Sequence, residues 1–140
     1  MYDVIDSKYT YKGSNVLKNK LNIKDDKILL EYQKRIVSFK LSTINFAELG
    51  EKFDAIRLKK IHKYLFEDVF EFAGLYRVEN IAKDNFRFSE YIYIEENLNE
   101  IMKKIEVKQL KALEFNAFIE KISYFLTELN VLHPFREGNR

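Results

Sequence analysis

The strongest constraint on the fold is an apolar repeat close to the C-terminal end of the sequence. Its members recur at intervals of three and four residues: Phe115, Phe118, Ile122, Phe125, Leu129 and Leu132. This spacing is the period of one face of an α-helix. At 1.5 Å per residue such a helix is about 27 Å long, enough to cross a small domain. We therefore predict a central helix whose apolar stripe lies in the core.

Three earlier segments also have helical periodicity. We predict a first helix from Asp25 to between Ser38 and Ser42, a second over 54–66 and a third over 90–107. Asp25 or Asp26 is suited to cap the first, because a carboxylate accepts hydrogen bonds from free amides. The supporting apolar stripes are Ile28, Leu29, Tyr32 and Ile36, then Leu58, Ile61 and Leu65, then Ile94, Leu98, Ile101 and Ile105.

Only one segment has the character of β-structure. In "LYRVENIAKDNFRFS", apolar residues surround a polar Lys83-Asp84-Asn85 turn, which predicts a β-hairpin over 76–88. A single hairpin is marginal alone, so it must pack on the helices or accept a partner strand. The predicted fold is all-α, a helical bundle around a long central helix with one hairpin. Tyr2, Tyr9 and Tyr11 are expected to pack the N-terminal arm, 1–24, against the bundle.

Composition excludes several classes of protein. The chain has 140 residues, enough for the single domain 1–140 that we predict. With 46% hydrophobic residues it is too apolar for disorder, and its net charge of +2 gives no reason to expect nucleic-acid binding. Because Cys is absent, disulfides and thiolate metal sites are excluded. No apolar run is long enough for a membrane span and the first residues lack signal-peptide features, so we expect a cytoplasmic location.

The loop after the central helix begins with His133 and Pro134. Proline cannot continue the helix and biases the preceding residue toward extended backbone, so His133 is predicted to be extended at the mouth of the core. Phe135 is expected to anchor the loop in the core, and Arg136 to point outward. His62, the other histidine, lies on the apolar side of the second helix and is predicted to be a packing residue.

The remaining residues of this loop suit the chemistry of phosphates. Gly138 and Asn139 tolerate left-handed backbone, which turns successive N–H groups to one side as an anion nest. Glu137 offers a carboxylate to a hard cation, and imidazoles such as that of His133 accept protons near neutral pH. A base, a metal-binding acid and an anion cradle together indicate phosphoryl or nucleotidyl transfer.

Three segments resemble one known family. "HPFREGN", 133–139, resembles the core of the Fic motif, His-Pro-Phe-x-Asp/Glu-Gly-Asn-Gly-Arg-x-x-Arg. "IHKYLFEDVFEFAGLYRVENIAK", 61–83, resembles the Fic segment that leads into the flap hairpin. "YTYKGSNVLKNKLNIKD", 9–25, is similar to the N-terminal arm of bacterial Fic proteins of the cell-filamentation type. The resemblance covers nearly all of the chain in the family's order.

The resemblance implies a Fic-type helical bundle and a protein adenylyltransferase, which transfers AMP from ATP with Mg²⁺ to a Ser, Thr or Tyr hydroxyl of a target protein. On this reading His133 is the catalytic base and Glu137 holds Mg²⁺ on the nucleotide. Gly138, Asn139 and Arg140 correspond to phosphate-binding positions.

The predicted hairpin is similar to the family's flap, which holds a target peptide by strand addition. The resemblance therefore implies target docking on Ile81, Ala82 and Lys83. Many Fic proteins are silenced by a helix with the motif Ser/Thr-x-x-x-Glu-Gly/Asn, which this sequence lacks. An inhibitory helix is expected beyond residue 140 or on an antitoxin partner.

The sequence departs from the family motif at its end. Arg140 follows Asn139 directly, where the family has Gly-Arg-x-x-Arg and a further helix. We therefore expect a truncated motif, and three interpretations remain open. The chain is an adenylyltransferase, a Fic-fold transferase of phosphate or another nucleotide, or a catalytically incompetent fragment that serves as a binding module.

Overall fold

The computed structural model describes residues 7–139 of the chain. Tyr2 and Arg140, two of the residues singled out above, lie outside this range. Within it, five α-helices and one hairpin are α1 (Asp26–Thr43), α2 (Ala55–Phe66), β1 (Ala82–Lys83), β2 (Phe86–Arg87), α3 (Ile94–Lys103), α4 (Val107–Lys111) and α5 (Phe115–Leu132). Two short 3-10 helices, Phe46–Leu49 and Tyr91–Tyr93, join them. The predicted all-α bundle with one hairpin is confirmed.

The predicted cap at Asp25, and a second aspartate at Asp54, fix where the first two helices begin. The Asp25 carboxylate accepts the Ile28 N–H at 3.0 Å at the start of α1. Asp54 accepts the Arg57 N–H at 2.9 Å at the start of α2. Each carboxylate satisfies an amide that has no partner within its helix. Lys40 ties the end of α1 to the segment after α2, with its Nζ 3.2 Å from Glu67 and 2.9 Å from Asp68.

Two apolar clusters form the core. One joins the N-terminal arm and α1 to the end of α2 and comprises Val16, Leu17, Leu29, Phe66, Val69, Phe70 and Ala73. The other joins α2, α3 and α5 and comprises Ala55, Ile94, Leu98, Ile101, Met102, Phe125 and Leu132. An antiparallel bridge between Thr10 and Leu17 folds the arm on itself. The Tyr9 ring packs it on Phe72 in an edge-to-face contact, with ring centroids 5.2 Å apart. The predicted packing of Tyr9 is confirmed.

The structure corrects which helical faces are buried. In α5 only Phe125 and Leu132 are fully buried, and Phe115 is 74% exposed. The prediction that the whole stripe lies in the core is therefore wrong for Phe115. α5 is apolar on several sides, and within residues 7–139 its main helical neighbours are α3 and α4. In α2 the buried residues are Ala55, His62 and Phe66.

The third helix and the hairpin are shorter than predicted. The segment 90–107 is a 3-10 turn followed by α3, which ends at Lys103 in tight i to i−3 bonds. The hairpin pairs Ala82 with Arg87 and Lys83 with Phe86, so 76–88 is not strand throughout. The amides at 77 and 78 cannot join the ladder because they donate to the carbonyl of residue 134 and to the Tyr9 hydroxyl. We call residues 81–88 the flap.

Candidate active site

Residues 133–139, which we call the site loop, rest on an aromatic stack on α2. The His62 ring lies between two phenylalanines, with ring centroids 4.8 Å from Phe66 and 3.8 Å from Phe135. Phe135 is buried, as predicted for a loop anchor. Gly138 approaches Phe66 so closely that an added Cβ would lie 2.4 Å from the ring. Any larger residue at 138 would therefore require Phe66 or the loop to shift.

Two hydrogen bonds of His62 connect α2 to its surroundings, one to the segment that follows α2 and one to the site loop. The Gly74 N–H donates to Nδ1 at 2.8 Å, so the ring proton is on Nε2, which donates to the Glu137 carbonyl at 2.9 Å. Burial lowers the pKa of His62 to about 4, and the bond to Glu137 offsets only part of this effect. His62 is therefore neutral near pH 7. It is buried, as predicted, but it also holds the loop.

His133 begins the site loop in a conformation that the sequence did not indicate. It is the C-cap of α5, with φ 51° and ψ 64°, and its N–H donates to the Leu129 carbonyl. The predicted extended backbone is therefore wrong. The left-handed cap prevails because it gives one of the terminal helix carbonyls a partner. This turn directs the imidazole into the core, where its ring stacks on Phe88 at 3.8 Å.

The surroundings of His133 define its chemistry. Nδ1 lies 3.0 Å from the Asn130 carbonyl, which can only accept, so Nδ1 carries the proton of the neutral ring. The lone pair is then on Nε2. A buried imidazole oriented in this way has the properties of a general base.

Glu137, Gly138 and Asn139 shape the rest of the loop. Gly138 has φ 78°, as the predicted nest requires, and its N–H donates to Glu137 Oε1 at 3.1 Å. The Asn139 side chain accepts the Phe135 N–H at 2.9 Å and donates to the Phe135 carbonyl at 2.8 Å. Asn139 thus closes the loop on itself, in addition to any contact with phosphate.

A cavity of about 610 Å³ separates the site loop from α1. We call it the loop cavity, and it is lined by Leu30, Gln33, Lys34, Val37, Ser38, Phe66, Lys83, Glu137, Gly138 and Asn139. Lys83 comes from the flap, so the flap and the site loop line the same cavity. The cavity has the volume of a small-molecule site, and two lysines favour an anionic ligand.

The donor set fits a magnesium ion that arrives with a nucleotide. Among residues 7–139 no three His, Asp or Glu side chains cluster closely enough to hold a metal by themselves. Glu137 nevertheless lines the loop cavity, and its Oε1 accepts the Gly138 N–H at 3.1 Å. Mg²⁺ commonly binds one or two carboxylates together with substrate phosphates. Glu137 is therefore suited to such an ion.

Arg136 does not point outward as predicted. It is 4% exposed, and its guanidinium lies over the Tyr9 ring, 5.8 Å from the centroid. Guanidinium groups stack favourably on aromatic faces, and this contact fixes the arm against the loop. The outward prediction for Arg136 failed because Tyr9, from the distant N-terminal arm, covers its guanidinium.

Sequence reasoning missed two residues that support the site. Phe88 covers the His133 ring, and Arg77 is 1% exposed among main-chain carbonyls. Arg77 stands between apolar neighbours in "GLYRV", which is the only local signal of a buried charge. Two of its partners, the carbonyls of Leu132 and His133, are more than fifty residues away along the chain, so the sequence pattern could not identify them.

A helical bundle that presents a buried histidine, an acid and a Gly-Asn loop beside a short hairpin is the arrangement of a Fic-type domain. The Fic/DOC family profile matches residues 52–140, and the chain belongs to this family. Protein adenylyltransferase VbhT of Bartonella schoenbuchensis is 37% identical over 139 residues, 99% of this chain and 29% of that protein. A probable protein adenylyltransferase Fic of Escherichia coli is 33% identical over 94% of this chain and 65% of its own length. The chain thus spans less than two thirds of either relative.

Solved structures agree with this assignment. The N-terminal FIC domain of a VirB-translocated effector protein from Bartonella sp. 1-1C matches with a TM-score of 0.85 at 29% identity, over 94% of this chain and 68% of that one. A Fic domain from Bartonella quintana with bound ADP matches with a TM-score of 0.82 at 28% identity, over 94% of this chain and 69% of that one.

Among residues 7–139 no helix is long and apolar enough to span a membrane.

Proposed function

We propose that the chain is a protein adenylyltransferase that transfers AMP from ATP to a Ser, Thr or Tyr hydroxyl of a target protein. One observation carries the proposal. The loop that begins at His133 also presents Glu137 and Gly138 to a cavity large enough for a nucleotide. The names of the relatives, and the ADP bound in one similar structure, support a nucleotide substrate.

The proposed reaction is a displacement at the α-phosphorus of ATP. The target hydroxyl oxygen forms a bond to this phosphorus while its proton passes to Nε2 of His133. The bond from the α-phosphorus to the bridging oxygen breaks, and diphosphate leaves. The Asn130 carbonyl, 3.0 Å from Nδ1, holds the imidazole in the tautomer that accepts this proton and stabilises its charged form.

Glu137 and Gly138 change partners in this proposal. The Glu137 carboxylate leaves the Gly138 N–H to face the nucleotide, and the freed amide can then donate to a phosphate oxygen. Bound Mg²⁺ would neutralise phosphate charge. Asn139 keeps the loop closed while Glu137 moves.

The flap is the proposed docking site for the target. Within the described residues its sheet has two strands, so β1 keeps an edge that can pair with an extended peptide. Of the predicted docking residues, Ala82 and Lys83 would provide this edge, whereas Ile81 is 2% exposed and would anchor the start of the flap. Phe88 links the flap to His133. Regulation by an inhibitory helix, from an antitoxin partner or a C-terminal segment, and a cytoplasmic location complete the proposal.

Intact mass after incubation with ATP and Mg²⁺ tests the proposal, with the chain itself and added candidate proteins as acceptors. We expect a gain of one adenylyl group, abolished in His133→Ala and strongly reduced in Glu137→Gln. Glu120→Gln, which changes an exposed acid on α5, is the matched control and should retain the gain. A gain of one phosphoryl group would instead identify the phosphotransferase alternative. No gain, with ATP still bound, would favour the binding module.

A further inference from the structure

Arg77 connects the flap to the end of α5 through one buried guanidinium. Its Nε donates to the His133 carbonyl at 2.7 Å, and Nη2 donates to the Leu132 carbonyl at 3.1 Å. Nη1 donates to the Glu79 carbonyl at 2.8 Å, and Nη2 also bonds the Ser89 carbonyl. Four carbonyls from three segments thus share one side chain that is 1% exposed.

The first pair of carbonyls belongs to the helix end that carries the base. Leu132 and His133 close α5, where carbonyl groups have no partner within the helix. The positive charge of Arg77 also faces the negative end of the helix dipole. The main-chain N–H of Arg77 adds a bond to the Pro134 carbonyl at 2.9 Å. Arg77 therefore holds the backbone on both sides of the imidazole.

The second pair of carbonyls belongs to the two ends of the flap. Glu79 precedes the flap, Ser89 follows it, and the Ser89 N–H donates to the Val131 carbonyl of α5 at 3.2 Å. Inside the flap, the Phe88 N–H donates to the Ile81 carbonyl at 3.3 Å. A displacement of the flap relative to the helix end would therefore break bonds to Arg77.

We propose that Arg77 is a positioning residue that fixes the flap in register with the imidazole of His133, so that a peptide docked on the flap presents its hydroxyl at the base. The inference rests on the proposed function. Arg77 is not among the described residues that line the loop cavity, so it acts through the flap and the helix end rather than on the nucleotide. Lysine cannot replace it. The single ammonium group of lysine cannot reach all of the carbonyls to which the planar guanidinium donates.

The test compares Arg77→Lys, which keeps the charge, with Arg35→Lys, an exposed arginine on α1, as the matched control. Three quantities are measured: AMP transfer, the Kd for ATP, and hydrogen exchange of the flap amides. Arg77→Lys should slow transfer by on the order of tenfold to a hundredfold, because small misplacements of reacting groups cost this much. The Kd for ATP should stay unchanged, and the amides of Phe88 and Ser89 should exchange faster. Arg35→Lys should match the wild type.

Each outcome decides the inference. Unchanged transfer together with unchanged exchange in Arg77→Lys would overturn it, and so would equal losses of transfer and ATP affinity, which indicate general unfolding. If the wild type transfers no AMP, the proposed function fails. Hydrogen exchange of the flap amides still tests whether Arg77 positions the flap. If Arg77→Lys does not fold, NMR of the wild-type Arg77 side chain replaces it. Hindered rotation and slow Nε–H exchange support the inference, and free rotation contradicts it.

Discussion

Acid should destabilise the protein through His62, because burial lowers the pKa of this residue to about 4. In the unfolded chain an imidazole has its ordinary pKa of about 6.5. Between these two values the unfolded state binds a proton that the folded state does not. The contribution of His62 to the free energy of unfolding is therefore fully present above about pH 6.5 and is lost as the pH decreases toward 4.

The size of this effect follows from the gap between the two pKa values. A gap of about 2.5 units, at 1.36 kcal/mol per unit, corresponds to about 3 kcal/mol. Protonation of Nδ1 would also remove the acceptor of the Gly74 N–H. The loss of stability on protonation is therefore expected to weaken this hydrogen bond and the stacking of His62 on Phe135.

Urea unfolding at pH 7.5 and pH 4.0, without nucleotide or magnesium, measures the effect in the wild type and in His62→Gln. The glutamine variant cannot titrate but keeps a donor and an acceptor. On acidification the variant should gain about 3 kcal/mol of stability relative to the wild type. The other titrating groups are common to both proteins, so their effects cancel in this difference. The same measurement on His133→Gln reports what the other histidine contributes. A wild-type-to-variant difference that is the same at both pH values would refute the reasoning.

Two further predictions concern packing and charge. Gly138→Ala should destabilise the protein by more than Gly13→Ala, because both have positive φ but only Gly138 would meet Phe66. The left-handed backbone alone costs each alanine variant about 1 to 2 kcal/mol. Thermal unfolding of the two variants therefore isolates the cost of the clash with Phe66. Equal losses of stability in both variants would contradict the close approach. Lys40→Met should cost about 1 kcal/mol, with less effect at high salt, because Lys40 is largely covered and pairs with two acids. Lys103→Met, at an exposed pair, should leave the midpoint of urea unfolding unchanged, and an equal loss in both would count against the Lys40 network.

Features that depend on neighbouring residues in the chain were predictable. The cap at Asp25, the range of α5 and the left-handed backbone at Gly138 each follow from local chemistry. The order of the chemical groups in the site loop is by itself enough to indicate phosphate chemistry. Local patterns were sufficient there because one short segment contains all of these groups.

Features that depend on distant contacts were not predictable. His133 adopts a left-handed cap, although its proline neighbour favours extended backbone, because the helix end and Arg77 together determine its position. Arg136 is buried because Tyr9 of the N-terminal arm offers a ring to cover it. The residue pattern of the site loop cannot predict the burial of Arg136, because this burial depends on where other segments pack.

The hydrogen bonds that hold the site loop also bear on the order of folding. Glu137 is 75 positions from His62, and His133 is 56 positions from Arg77. Contacts of such separation carry a large loop-closure entropy and form late, whereas helices form on the microsecond scale. The geometry of the site loop is therefore expected to form only after α2 and the flap have packed. A refolding experiment should show helical signal before the proposed ATP binding is regained.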